Sequence, residues 1–267
     1  MLQRAKSRSM IASTSPTPAC AWASRPGVRI LVLATLVALL ATAAVRPSAQ
    51  AADSPKIAPE QELVTLLESK GIHAHPVFGS PTLAGVSYYR PLTLVHTTLP
   101  VLAQMTDDEG REWLRVRLPG RAVDRKAPPP TGWITADYTR MAKTVWHLVV
   151  DIRTRRVLAY RDGQLVRTFT VIVGKPSTPT PRGDYFIEEG IRLPPHHLEA
   201  PGALATSARS HVFKEFMGGL PQIALHGMVN IGGKMGTAVS NGCIRMTSTA
   251  IVWLRKHIRA GVPLTIR

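Results

Sequence analysis

The sequence predicts a mostly β protein with one convincing helix near its C-terminus, and three local patterns support that fold class. The segment EWLRVRL alternates polar or aromatic residues with aliphatic ones, as a half-buried strand does. The run VLAYRDGQLVRTF reads as two strands around an Arg-Asp-Gly hairpin signal. Only STAIVWLRKHIRAG, near the C-terminus, combines a Ser/Thr cap, apolar residues on one helical face (Ile251, Leu254 and Ile258) and a glycine after them.

Residues 1–51 have the composition of a secretory signal peptide. They contain six basic residues and no acidic one, and the run ILVLATLVALLATAAV at 30–45 carries no charge. Ala49-Gln50-Ala51 fits the cleavage pattern, so Ala52 is the expected mature N-terminus. An uncleaved anchor stays open, since this run falls just short of the ~20 residues that span a bilayer. With cleavage we expect a protein secreted across the inner membrane into the periplasm or cell wall, with no membrane span.

The length, charge and cysteine content of the chain restrict the number of structural units and the classes of partner that can be expected. The whole chain has 267 residues and a formal charge of +16, and the part after residue 51 keeps +10. A mature chain of this size predicts two structural units. Its basic charge favours an anionic cell-envelope polymer or lipid as partner, and export argues against nucleic acid. Cys20 precedes the apolar run and leaves with the signal, so Cys243 remains as the single cysteine.

Residues 52–85 are predicted to be a linker with one short helix. Pro59 precedes EQELVTLLESKG, in which Leu63, Leu66 and Leu67 have helical spacing and Gly71 is a stop signal. The following HAHPVFGSPTLAG is rich in small residues and turns.

Residues 86–141 change to short strands separated by the turn signals DDEG and PPPTG. The "W-x-R-V" strand within EWLRVRL and the later "G-W-I" resemble a bacterial SH3-like barrel. Such modules often bind wall peptides, and a role as spacer or packing partner is equally open.

Residues 144–267 are more regular. Three strands in VWHLVVDIRTRRVLAYRDGQLVRTFTVIVG lead into a proline-rich turn, GKPSTPTPRGDY, and another strand. The turn lacks the upstream glycine of a phosphate-binding loop, so no nucleotide or other cofactor is expected. A less regular insert is predicted at 190–220. The segments PQIALHG and VPLTIR are predicted strands on either side of the helix.

Cys243 and His226 are the candidates for chemistry. A cysteine attacks an amide as its thiolate and therefore needs a base or a positive environment. His226 ends an apolar strand, and the glycine-rich stretch NIGGKMGTAVSNG can fold back from it toward the thiol. Gly242, beside the nucleophile, would let a carbonyl approach closely and leave backbone N–H groups for an oxyanion.

These residues resemble the active-site signature of the L,D-transpeptidases, the YkuD or ErfK/YbiS/YcfS/YnhG family. IALHG followed by a glycine-rich loop and SNGCIRM is similar to the family's histidine and cysteine motifs, and TVIVGKPSTPTPRG is similar to its earlier turn. The resemblance covers residues 144–267. It implies a YkuD-like β-sandwich or barrel with one helix, preceded here by the small SH3-like barrel.

The resemblance also implies catalytic roles. Cys243 would attack the L,D amide of a donor stem tetrapeptide and release D-alanine. His226 would be the base and then the acid, oriented by the carbonyl of Gly227 in place of a carboxylate. The backbone amides around Gly242 and Cys243 would hold the oxyanion.

Three more residues are assigned by the same resemblance to the substrate side of the site. Ser240 would hydrogen-bond within the loop, and Arg245 would either shape the pocket or bind a substrate carboxylate. Asn241 stands where many members carry a second histidine, which puts any second-histidine contribution in doubt.

The implied partners are peptidoglycan stem peptides, and the acceptor stays open between another stem peptide, an envelope lipoprotein, a D-amino acid and water. A non-catalytic wall-binding protein and a papain-like endopeptidase are the competing readings, but in the latter the cysteine precedes its histidine. His196, His197 and His211 lie in the insert and are interpreted as surface or lid residues. A zinc site that uses them with Cys243 is the alternative to a cysteine nucleophile. No metal is expected.

Overall fold

A computed structural model describes residues 56–120, 129–215 and 221–267. The proposed signal peptide lies outside these ranges. Residues 53–267 form one compact unit. Within the described part of that unit, two large sheets and a two-stranded one carry most of the chain, which confirms the predicted mostly β class.

The first large sheet contains seven strands in the order β3-β2-β6-β5-β4-β1-β7. Their bounds are β1 Gln61–Leu66, β2 Lys70–His73, β3 Thr82–Val86, β4 Thr98–Thr106, β5 Glu112–Arg117, β6 Thr131–Thr135 and β7 Thr139–Thr144. The predicted strand EWLRVRL is β5, and the "G-W-I" segment is β6. The SH3-like assignment and the boundaries at 86–141 and 144–267 stay predictions.

The helix predicted in the linker at 52–85 is wrong. The segment forms β1, which pairs with β4 on one side and with β7 on the other. Residues 63–66 are all buried in succession, as expected of a strand covered on both faces. Gln61 pairs with Thr144, far along the chain, so the partners that decide the conformation are absent from the local pattern. With β2 and β3, most of the predicted linker belongs to this sheet.

The second large sheet contains eight strands in the order β10-β9-β8-β17-β12-β13-β14-β16. Their bounds are β8 Trp146–Asp151, β9 Arg156–Arg161, β10 Gln164–Thr170, β12 Gly183–Arg192, β13 Gly202–Arg209, β14 Gln222–His226, β16 Ile244–Arg245 and β17 Pro263–Ile266. The two-stranded parallel sheet joins β11 Val173–Gly174 to β15 Ala238–Ser240. The predicted hairpin between β9 and β10 is confirmed, with Asp162 and Gly163 both at positive φ.

The predicted irregular insert at 190–220 is only partly irregular. β12 continues to Arg192, and β13 lies between β12 and β14 in the middle of the sheet. The segment GALATSAR is rich in small residues and is almost wholly buried, so it lacks the alternation by which a strand is recognised in sequence. Among the described residues of this insert, the loop between β12 and β13 (193–201) and residues 210–215 are irregular.

The predicted C-terminal helix is confirmed as α1, Ser248–His257, capped by the side chain of Thr247. Its apolar face, which includes Ile251 and Leu254, joins a core shared with the second large sheet. Within the described ranges no helix has the length and apolar content required to cross a membrane.

Strand β12 joins the two large sheets. Phe186 is fully buried in the core of the seven-stranded sheet, whereas its neighbour Ile187 belongs to the core beneath α1. Glu188 is buried, forms an ion pair with Arg90 and accepts a hydrogen bond from the backbone N–H of Gly120. This satisfied buried charge ties both sheets to the strand that precedes the loop 193–201.

Candidate active site

The predicted nucleophile and base lie on neighbouring parallel strands. Strands β14 and β16 pair with Leu225 opposite Ile244 and His226 opposite Arg245. Continued by one residue, this register places Cys243 beside Ala224, whose backbone hydrogen-bonds to the thiol. Leu225 and Ile244 are both fully buried in the core. Because successive side chains alternate between faces, Cys243 and His226 project to the opposite face together.

The imidazole of His226 is buried and held in one tautomer. Its Nδ1 lies 2.6 Å from the carbonyl oxygen of Gly227. A carbonyl only accepts, so Nδ1 is the donor and the neutral ring carries its lone pair on Nε2. The ring can therefore accept one proton at Nε2 without losing the bond that orients it.

Gly227 has to be a glycine for a packing reason. A Cβ at this position would overlap the backbone carbonyl of Ala200 and press on the ring of Pro201. The N–H of Gly227 also donates to the carbonyl of Gly202 at 3.1 Å. The residue that orients His226 is thus fixed from the other side by the loop 193–201 and the start of β13.

The loop that carries the nucleophile is closed by Ser240. Its buried hydroxyl donates to the carbonyl of Cys243 at 2.6 Å and accepts from the N–H of Gly242 at 3.2 Å. Gly242 has φ 119°, a conformation that favours glycine. The Gly242 amide, assigned from sequence to the oxyanion, thus donates to Ser240.

Two threonines of the proline-rich turn, which sequence reasoning missed, hold the same loop. The buried hydroxyl of Thr180 donates to the carbonyl of Gly242 at 2.8 Å and accepts from the N–H of Gly174 at 2.9 Å. Thr178 donates to the carbonyl of Ser240 at 3.3 Å. The sequence contained a signal, since both threonines lie in the turn already matched to the family, but nothing local shows that the turn touches the cysteine loop.

The structure gives Arg245 a structural contact and leaves Asn241 at the surface. The Nη1 of Arg245 donates to the carbonyl of Gly232 at 3.0 Å, so its side chain anchors the glycine-rich loop. Its backbone exchanges two hydrogen bonds with Ile172. Asn241 is exposed next to the buried Gly242.

Glu199 is a third residue that sequence reasoning missed. Its Oε1 lies 3.9 Å from Nε2 of His226, on the ring edge opposite the Gly227 contact. Its backbone N–H donates to Nδ1 of His197 at 3.1 Å. No spacing rule joins Glu199 to His226, because the long strand β13 separates them in sequence.

Burial keeps the resting pair neutral. The pKa of the Cys243 thiol is raised to about 11, mainly by desolvation and also by Glu199, while the Ala224 hydrogen bond and Arg245 oppose the rise. Desolvation also lowers the pKa of His226, against the opposing effects of Glu199 and the Gly227 carbonyl. With the pKa of the Cys243 thiol raised and that of His226 lowered, a thiol and a neutral imidazole are the favoured forms at neutral pH.

The described residues contain no group of three His, Cys, Asp or Glu side chains arranged to hold a metal ion. His197 contributes to the electrostatics of His226. His196, its neighbour, is exposed. The assembled site is therefore a thiol and an imidazole on one sheet face, bordered by Glu199 and Arg245.

The region that contains this site matches the model of a known protein family. Residues 146–266 match the family model of YkuD, described as the L,D-transpeptidase catalytic domain. Over these residues the chain is similar to that family. The matched region begins with β8, ends with β17 and includes every site residue discussed above.

Two curated relatives match part of the chain. The YkuD proteins of Bacillus licheniformis and Bacillus subtilis are each 29% identical to the chain over 121 residues, which is 45% of this chain and 65% of theirs. The match thus spans less than two thirds of the length of these relatives.

Two solved structures are similar to the chain at low identity. An L,D-transpeptidase from Mycobacterium smegmatis is 19% identical, covers 59% of this chain and 90% of its own, and gives a TM-score of 0.35. One from Mycobacterium tuberculosis is 14% identical, covers 76% of this chain and 96% of its own, and gives a TM-score of 0.41.

Proposed function

We propose that this protein is an exported peptidoglycan L,D-transpeptidase that uses Cys243 as its nucleophile. The observation that carries the proposal is the pairing of β14 with β16, which brings a thiol and an imidazole with a free Nε2 lone pair onto one sheet face. The match to the YkuD family model supports the reaction class, and the geometry supports Cys243 and His226 as the residues that carry out the reaction.

The first half-reaction is acylation. The Cys243 thiol gives its proton to Nε2 of His226 as its sulfur attacks the carbonyl of the donor's terminal amide. The C–N bond then breaks, and the imidazolium returns the proton to the leaving amine of D-alanine. Burial favours the neutral pair before attack, so thiolate forms only as bonding to the carbonyl begins.

The oxyanion of this step needs backbone donors. In the proposal the Cys243 N–H supplies one, and the Gly242 N–H supplies a second by leaving its 3.2 Å bond to Ser240. Ser240 keeps its stronger contact to the Cys243 carbonyl, so the loop can release one amide without losing its shape. Arg245, held at Gly232, and Asn241, exposed at the loop, would border the donor peptide.

Intact mass of the purified protein after brief incubation with a disaccharide-tetrapeptide tests the proposal. A covalent adduct equal to the donor minus D-alanine is expected, and it should be missing in Cys243→Ala. Glu112→Gln, an exposed change on β5, is the control for handling. Without adduct or free D-alanine from the wild type, the proposed activity would be wrong for this donor.

The fate of the acyl-enzyme separates the remaining functions. Transfer to an amine gives a cross-link or an attachment to an envelope lipoprotein, whereas water as acceptor gives an L,D-carboxypeptidase. A protein that forms no adduct but sediments with peptidoglycan would be a non-catalytic wall-binding protein. The signal-like residues 1–51 support placement in the periplasm or cell wall, and the seven-stranded sheet would act as the SH3-like module beside the YkuD domain.

A further inference from the structure

The carboxylate of Glu199 lies at the mouth of the site next to the base. Its Oε1 is 3.9 Å from Nε2 of His226, and the Glu199 side chain is 30% exposed whereas that of His226 is 3% exposed. A ligand arriving from solvent on this side therefore meets Glu199 before it reaches the imidazole.

The loop that carries Glu199 is fixed in place. The side-chain amide of Asn230 donates to the carbonyls of Pro195 at 2.9 Å and His197 at 2.8 Å. The carbonyl of Ala200 packs against Gly227, so the residue after Glu199 contacts the residue after His226. The position of the carboxylate relative to the imidazole is thus built into the fold.

The two facing groups are both acceptors in the resting state. Because Nδ1 of His226 donates to Gly227, Nε2 carries a lone pair, and the carboxylate has only lone pairs to offer. They cannot bond to each other, and the 3.9 Å between them has the size for a donor that serves both. An ammonium nitrogen has three N–H donors and can lie about 2.8 Å from each.

We propose that Glu199 is the docking residue for the acceptor, which is a primary ammonium held between the Glu199 carboxylate and Nε2 of His226. The inference rests on the proposed function and assigns to that same site the residue that receives its acceptor. Glu199 and Arg245 are the charged groups whose fields reach the Cys243 thiol, and only the carboxylate attracts a cation.

Acyl transfer to an ammonium acceptor requires a group that takes a proton from the nitrogen before the nitrogen attacks the thioester. An alkylammonium with an ordinary pKa near 10 is charged at pH 7 and has to lose one proton before it attacks. Glu199 takes that proton and passes it to solvent. The amine then bonds to the thioester carbonyl and the C–S bond breaks. The second proton leaves the nitrogen through Nε2 of His226 and goes to the sulfur, which restores the thiol and releases an amide.

The test compares a charged with an uncharged acceptor of similar size. Acyl-enzyme is formed with the tetrapeptide donor, freed of excess donor by gel filtration, and mixed at pH 7 with methylamine, which is charged, or methoxyamine, which is not. Mass spectrometry of the released peptide gives the ratio of amide to hydrolysed acid. This ratio is independent of the acylation rate.

For Glu199→Gln we expect the methylamine ratio to fall at least about tenfold, with the methoxyamine ratio within about twofold of wild type. Glu199→Asp, which keeps the charge, should retain part of the preference, and Glu112→Gln should change neither ratio. Circular dichroism of each variant checks the fold.

An equal fall for both acceptors would overturn the proposal and make Glu199 a residue that acts through His226 alone. Unchanged ratios would overturn it as well. Failure of the wild type to form an acyl-enzyme would instead refute the proposed function, and this inference with it.

Discussion

The two loops that meet at His226 are held in different ways. Residues 238–246 carry the nucleophile and are fixed by buried hydroxyl groups that bond to backbone, Ser240 within the loop and Thr180 from outside it. Residues 193–201 carry Glu199 and are fixed by a surface amide, that of Asn230, and by the close contact of Ala200 with Gly227. The difference indicates that buried hydrogen bonds place the thiol, whereas surface hydrogen bonds together with packing place the carboxylate.

The largest expected effect is that of removing the nucleophile. Cys243→Ala should lower D-alanine release at least about a thousandfold, because no other described residue is a cysteine and the attack needs a thiolate. The fold should persist, since the thiol's one hydrogen bond outside its own loop is to the backbone of Ala224, which the pairing of β14 with β13 and β16 already holds. Initial rates with the tetrapeptide donor measure the effect, and turnover near the wild-type rate would remove Cys243 from the mechanism.

Gly227→Ala should have the next largest effect, because it disrupts the packing of the loop 193–201 against residue 227. The new Cβ has to displace the Ala200 carbonyl, which shifts both the loop with Glu199 and the carbonyl that orients His226. We expect about a hundredfold loss of activity, as a misplacement of about 1 Å can produce. Gly190→Ala is the matched control, because its Cβ would meet only Leu204 at 3.4 Å. Equal activity of the two variants would contradict the packing argument.

Thr180→Val tests the hydrogen bonds of the first loop. The substitution keeps the shape but leaves the N–H of Gly174 and the carbonyl of Gly242 without their partner in a buried site. We expect a loss of about 1–3 kcal/mol in the free energy of unfolding and about tenfold in activity. Urea denaturation measures the former. Thr180→Ser restores the hydroxyl and should recover most of both losses, and a Ser variant as weak as Val would point to packing instead.

The same two loops show which residues of the site could be predicted from the sequence and which could not. The cysteine loop and its histidine were predicted together because their residues lie in one short stretch whose chemistry is specific. The threonines were within a recognised turn, yet their contact with Gly242 crosses about 60 residues and depends on β11 pairing with β15. Glu199 stood in an insert without any periodic pattern, and only the central placement of β13 brings it to His226.

The same difference between local signals and long-range contacts explains which predictions of the fold were confirmed. The hairpin at Asp162 and the helix α1 were predicted because turn chemistry and capping are local. Strand β1 was mistaken for a helix because the spacing of its leucines fits both structures, and pairing with β4 and β7 decides between them. Long-range pairing is therefore the information that a single sequence did not provide.

The smallest expected effect is a shift in the pKa of the Cys243 thiol, on which the charges of the two loops act in opposite directions. Glu199 raises and Arg245 lowers the pKa of the Cys243 thiol, which burial has brought to about 11. Removing the negative charge stabilises the thiolate, so Glu199→Gln should move the alkylation midpoint to lower pH, whereas Arg245→Met should move it to higher pH. The rate of iodoacetamide modification from pH 7 to 11.5 measures both shifts, with Glu112→Gln as control. Because the two charges come from different loops, shifts in one common direction would mean that one substitution had moved a loop instead of removing a field.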